Sequence, residues 1–167
     1  MTTQLTYDQY SAQAAELIPQ NAFMTTSHGN KVNTMTIGWG SVGIMWRKPV
    51  FTALVRQSRY TKELVEQSGE FTVTLPLADM KAALGLCGTK SGRDMDKIAA
   101  AKLTLIPGQA VSTPVIAGPG LQFECKVIYK QTMIPENLAA ADRTACYAEG
   151  DYHTLYFGEI VAAYKTE

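Results

Sequence analysis

Three short stretches of this 167-residue chain combine residue types that can do chemistry. The first is Arg56-Gln57-Ser58-Arg59-Tyr60-Thr61-Lys62, between an apolar run and a helical one. A helix start presents unpaired N–H groups and the positive end of the helix dipole, and both favour an anion. Ser58 and Thr61 add hydroxyl donors, and Arg56, Arg59 and Lys62 add charge. The stretch is therefore the best candidate in the sequence for holding a phosphate monoester. Read alone, it is equally well an ordinary helix cap with solvated basic neighbours.

The second stretch is Asn33-Thr34-Met35-Thr36-Ile37-Gly38-Trp39. Strand alternation puts Asn33, Met35, Ile37 and Trp39 on one face and Thr34, Thr36 and Gly38 on the other. Each face mixes apolar with polar groups, as a flat heteroaromatic ligand requires: apolar contact for its body, donors and acceptors for its edge. On this segment alone, a half-exposed strand with surface threonines is the simpler reading. The third stretch, Ser91-Gly92-Arg93-Asp94-Met95-Asp96-Lys97, is a glycine turn into a helix with charges of both signs, and most such runs are solvated helix starts.

Gly38-Trp39-Gly40-Ser41-Val42-Gly43 matches the dinucleotide fingerprint G-x-G-x-x-G and follows a strand. That fingerprint works only where its last glycine opens a helix and an acidic residue ends the next strand. Here Pro49 follows closely and the next apolar run ends in Val55-Arg56, so the glycines are read as letting a strand bend at a sheet rim. Cys87, Cys125 and Cys146 form no C-x-x-C pair, which supports neither a disulfide framework nor a zinc site. Cys87 lacks a neighbouring resolving thiol and is assigned no role. Of the two histidines, His28 lies in a hairpin turn and is read as structural, and His153 heads the last strand.

The elements that must position these residues are mainly strands. AFMTTS and KVNTMTIGW flank His28-Gly29-Asn30 and predict a hairpin. VFTALVR (50–56), FTVTLPL (71–77), GLQFECKVIYKQTM (120–133) and YHTLYFGEIVAAYK (152–165) read as further strands, the third with one buried face. Short helices are expected at 8–18, ended by Pro19; at 60–69, with Leu64 and Val65 inward and Gly69 as the stop; and twice between 78 and 106. The expected fold is one domain over residues 1–167, mainly β with short helices, its antiparallel strands forming a closed or nearly closed barrel.

Fifteen basic side chains balance fifteen acidic ones, so no electrostatic footprint for nucleic acid or an anionic membrane is present. The first ten residues carry no export-type pattern, and no run reaches the roughly 18 apolar residues of a membrane span. A cytoplasmic protein with reduced thiols is the expectation.

Four ordered pieces, NTMTIGWG, SRYTKELVEQSGEFTVTLP, CGTKSGRDMDK and HTLYFGEIV, resemble the flavin reductase-like, FMN-binding split-barrel family, which includes flavoredoxins and flavin:NAD(P)H oxidoreductases. The resemblance runs from about Asn21 to Tyr164 and is carried by the order and spacing of the pieces together. It implies an antiparallel, Greek-key-like split barrel that binds FMN, with FAD as the alternative. It also implies that Asn33, Thr34, Met35 and Thr36 line the isoalloxazine with side chains and backbone amides, with Trp39 near the ring. Ser58, Arg59, Tyr60 and Thr61 match the phosphate-binding turn, Lys97 a basic residue approaching the flavin, and His153 a position facing the cofactor.

The activity implied is an NAD(P)H-dependent flavin reductase, with NADH or NADPH as transient donor and hydride passing through flavin N5, so that no protein residue need be an essential acid or base. A homodimer with flavin near its interface is expected, with a redox protein or an acceptor monooxygenase as further partner. Two alternatives stay open: a flavoredoxin-like carrier reduced by a protein, and a non-enzymatic barrel for some other phosphorylated ligand.

Overall fold

The computed structural model describes residues 1–167. In chain order the elements are β1 (Thr2–Gln4), α1 (Tyr7–Leu17), β2 (Ala22–His28), β3 (Lys31–Ile37), β4 (Gly40–Met45), β5 (Lys48–Arg56), α2 (Tyr60–Ser68), β6 (Glu70–Pro76), α3 (Lys81–Thr89), α4 (Lys97–Ala100), β7 (Leu105–Ile106), β8 (Val115–Ile116), β9 (Gly120–Thr132), α5 (Ala140–Tyr147) and β10 (His153–Thr166). No helix is long and apolar enough to cross a membrane.

The main sheet runs in the order β3-β2-β6-β9-β10-β5-β4, with β1 added on β10, and every pairing is antiparallel. β5 and β6 follow each other in the chain but are separated in the sheet by β9 and β10, the long-connection feature of a Greek key. The sheet curls until β3 approaches β5, yet the end strands β3 and β4 do not pair with each other, so the closure expected of a full barrel is replaced by a split. An end strand leaves half its backbone groups without a ladder partner. β3, the strand richest in candidate ligand contacts, is such a strand.

The core fills the inside of the curl. Met24, Phe51, Phe71, Val73, Leu75 and Phe123 are completely buried, and each such side chain contributes on the order of 1.5–3 kcal/mol relative to exposure. α1 and the turn that follows it close one end through Tyr10, Ala14 and Ile18. On the outside of β2, α3 and the following segment bury Phe23, Leu84, Cys87, Leu103 and Ile116 in a second, smaller cluster.

Two features depart from the alternation read in the sequence. β9 is buried on both faces at its start: Gln122 and Glu124 are as inaccessible as Leu121 and Phe123. The segment around residues 106–119 covers the second face, with Glu124 accepting from the Gln109, Ala110 and Val111 amides and from the Tyr164 hydroxyl. β3 stops at Ile37, so Trp39 lies beyond the ladder and stands 45% exposed. The glycines that follow belong to β4, a strand hairpinned to β5, where a dinucleotide site would need a helix.

Candidate functional site

β3 forms the common wall of two cavities. One, of about 270 Å³, opens in the split and is lined by Met35 to Trp39, by Leu54 and Arg56 of β5, and by Asn21, Arg59 and His153. The other, of about 800 Å³, lies toward the start of β3 and includes Asn33, Tyr60, Gly92, Arg93 and Lys97. Together they have the size of a small-molecule site.

The start of α2 contributes to both cavities, Arg59 to the first and Tyr60 to the second. The Asn33 amide donates to the Thr61 hydroxyl at 2.8 Å, and both residues are buried. The Tyr60 and Thr61 N–H groups of the first helical turn find no backbone acceptor, as expected at a helix start. Arg59, at the N-cap, lines the split cavity and has no ion pair or side-chain hydrogen bond within the protein. Arg56 is engaged instead, donating to the Asp151 and Cys146 carbonyls and lying over the Tyr147 ring.

Ser58 is also engaged: its N–H and hydroxyl both donate to the Asp151 carboxylate, at 3.0 and 2.6 Å. Burial works to raise the Asp151 pKa, but the two Ser58 donors, with Arg56 and Arg59 nearby, hold it below the usual carboxylate value. Ser58 thus already binds an anion, one supplied by the chain. Arg93 ties the glycine turn to this region through Glu63 and the Ser58 carbonyl. Gly92 lies so close to Asn33 and Tyr60 that a Cβ would collide with both, 2.9 Å from Tyr60 Cδ1. Lys97 is almost fully buried, its ammonium donating to the Cys87 carbonyl at 3.1 Å. Burial, reinforced by Arg59, lowers its pKa against an opposing pull from Cys87.

At the other end of β3, Met35 and Thr36 line the split cavity, the Thr36 hydroxyl being held by the Leu84 carbonyl at 2.6 Å. Thr34 lines neither cavity; its hydroxyl donates to the Met24 carbonyl and accepts from Thr25. Trp39 packs at the cavity mouth, 5.2 Å from the His153 ring and 6.4 Å from Tyr147. His153 Nδ1 shares a 2.6 Å hydrogen bond with the Tyr147 hydroxyl, which leaves Nε2 without a protein partner. Burial first, then Arg56, pushes the imidazole pKa down to about 4, so the ring is neutral near pH 7.

The eleven candidate residues therefore gather around one strand. Met35, Thr36, Trp39, Arg59 and His153 line the split cavity, Asn33, Tyr60 and Lys97 the adjoining one, while Thr61 supports Asn33 and Ser58 and Thr34 face protein groups. Sequence reasoning passed over Asn21, Tyr147 and Asp151. Tyr147 and Asp151 come from the stretch before β10, where no periodic pattern marks them, and Asn21 stands alone ahead of β2. The arrangement offers an unpaired cation, Arg59, and free amides at the start of α2 next to a slot lined by Met35, Trp39 and His153 beside an end strand of the sheet. Those groups fit a phosphorylated, flat heteroaromatic molecule.

The family model for the flavin reductase like domain matches residues 16–167. An uncharacterized protein of Archaeoglobus fulgidus is 28% identical over 145 residues, covering 87% of this chain and 72% of its own. Among solved structures, the flavoredoxin of Methanosarcina acetivorans is 27% identical with a TM-score of 0.66, over 88% of this chain and 68% of that one. An FMN-binding domain of a flavin reductase-like enzyme from Shewanella baltica shares the fold at a TM-score of 0.72 and 18% identity, over 99% of this chain and 77% of that one.

Proposed function

The chain belongs to the flavin reductase like domain family, and on that premise we propose that it binds FMN in the split beside β3 and passes reducing equivalents through it. The observation that carries this reading is the Asn33–Thr61 hydrogen bond, which joins the strand that would flank the ring to the helix start that would hold the phosphate. Arg59 and the Tyr60 and Thr61 amides supply donors for the phosphate. The open edge of β3 supplies backbone donors and acceptors for the ring edge, and Met35 and Trp39 supply apolar contact.

When bound, FMN would supply the redox chemistry, taking up hydride from a donor and releasing electrons singly or in pairs. The protein's part is to bind, orient and exclude water. NADH or NADPH is the proposed donor, reaching the ring from the mouth where Trp39 is exposed. The same mouth is the face we assign to a second copy in a homodimer, which sedimentation equilibrium would test.

The test is direct. Purified protein, as isolated or after addition of FMN, should show the visible absorption of bound flavin, and anaerobic NADH or NADPH should bleach it rapidly. Protein that stays colourless with excess FMN would overturn the reading. The similarity to a flavoredoxin favours a second reading, an electron carrier reduced by a protein. Slow bleaching by both nicotinamides, with fast exchange to a redox protein, would select it over the reductase.

A further inference from the structure

Asn21 is the residue of the split whose presence local structure explains least. Its backbone lies at φ 78 and ψ 146, a region essentially reserved for glycine and costing other residues roughly 1–3 kcal/mol. The chain holds it there. Its N–H donates to the Ile18 carbonyl at 3.1 Å, closing the short 3-10 turn Ile18–Gln20, and the next residue, Ala22, enters β2 fully buried. A position with only a conformational task would be best filled by glycine.

The side chain lies against the end of β3. Ala22 pairs with Ile37, so Asn21 faces Gly38 one step beyond the end of the ladder. A Cβ on Gly38 would sit 2.8 Å from Asn21 Oδ1, and its absence gives the carboxamide room beside the cavity wall. That carboxamide lines the mouth of the split cavity together with Met35, Thr36, Trp39 and His153; the residue is exposed, and solvent rather than a protein group serves its oxygen and nitrogen. A strained backbone, a neighbour without a side chain and a carboxamide that a ligand can reach from solvent meet in one residue, the pattern expected where strain serves recognition.

We infer that Asn21 is a ligand-recognition residue whose carboxamide hydrogen-bonds the imide edge of the flavin pyrimidine ring, an inference that rests on the flavin reading above. A carboxamide offers one acceptor and a donor NH₂. An imide offers the complement, an N–H between two carbonyls.

The experiment compares wild-type protein with Asn21→Gly and Asn21→Asp, using FMN and N3-methylated FMN as probes. Asn21→Gly should melt no lower than wild type in the absence of flavin, because it removes strain, and should bind FMN about five- to tenfold more weakly. Wild type should discriminate against N3-methyl FMN, and the glycine variant should lose most of that discrimination. Asn21→Asp, which tolerates the same backbone but loses the donor, should also weaken FMN binding. FMN affinity unchanged within twofold in both variants, or discrimination unchanged in Asn21→Gly, overturns the inference and leaves the flavin reading standing. Wild-type protein that does not bind FMN overturns both.

Discussion

Asn33 and Thr61 are 28 residues apart in the chain and 2.8 Å apart in the fold, the amide of one donating to the hydroxyl of the other. The bond ties β3 to the first turn of α2 inside the protein, where neither partner can turn to water for a substitute. Whatever occupies the two cavities meets a wall and a helix start already fixed relative to each other. Preorganisation of that kind lowers the entropy lost on binding.

Replacing either partner leaves the other buried without a bond, at a cost of about 1–3 kcal/mol. Asn33→Leu and Thr61→Val should each lower the melting temperature, and the double variant should be less destabilised than the sum of the two, because the residues interact. Additive effects in a double-mutant cycle would show that the hydrogen bond carries no coupling.

Arg59 has no protein partner to lose, so Arg59→Gln should leave stability nearly unchanged. It should weaken FMN binding roughly tenfold or more, since a charge-assisted contact to phosphate disappears, and riboflavin binding much less. Titration of both ligands by fluorescence quenching tests this, and equal losses would move the phosphate elsewhere.

Gly92→Ala should disturb the same junction from above. The added Cβ would run into Asn33 and stand 2.9 Å from Tyr60 Cδ1, forcing shifts that typically cost about 1–3 kcal/mol. A lower melting temperature together with weaker FMN binding is expected; wild-type affinity in this variant would separate the glycine turn from the site.

His153 makes stability depend on pH in a defined window. Its imidazole titrates near 6.5 when free and about 4 when folded, so between these values the unfolded chain binds more protons. Its contribution is present above about pH 6.5 and is lost as the pH falls toward 4. Arg56 and Arg59 also act on the ring in the same direction as burial, and Asp151 acts against them. His153→Asn should show a shallower fall in melting temperature from pH 7 to 4 than wild type, and parallel curves would refute the assignment.

Trp39 is half in solvent, so Trp39→Ala should cost little stability but shift the visible spectrum of bound flavin. An unchanged spectrum would remove the indole from the ring contacts.

Much of the scaffold is local and was therefore readable. Leu64 and Val65 face inward from α2 and Gly69 ends it because helix periodicity and a left-handed C-cap are properties of neighbouring residues. The hairpin between β2 and β3 follows equally from its turn residues. β4 was not readable: its sequence is rich in glycine and serine, and its turn places Trp46 and Arg47, not Gly or Asn, at φ 50 and 63. Only pairing with β5 makes it a strand.

The sequence by itself determined which chemical groups stand at the start of α2 and along β3, since residue type, helix polarity and strand alternation act over a few residues. The tertiary structure alone decided which of those groups remain free to meet a ligand. Ser58 is taken by Asp151, 93 residues away, Thr36 by the Leu84 carbonyl, and Thr34 by β2, whereas Arg59 and Asn21 are left open. The physical reason is that a donor's partner is chosen by the curl of the sheet, which joins distant segments that no local pattern connects.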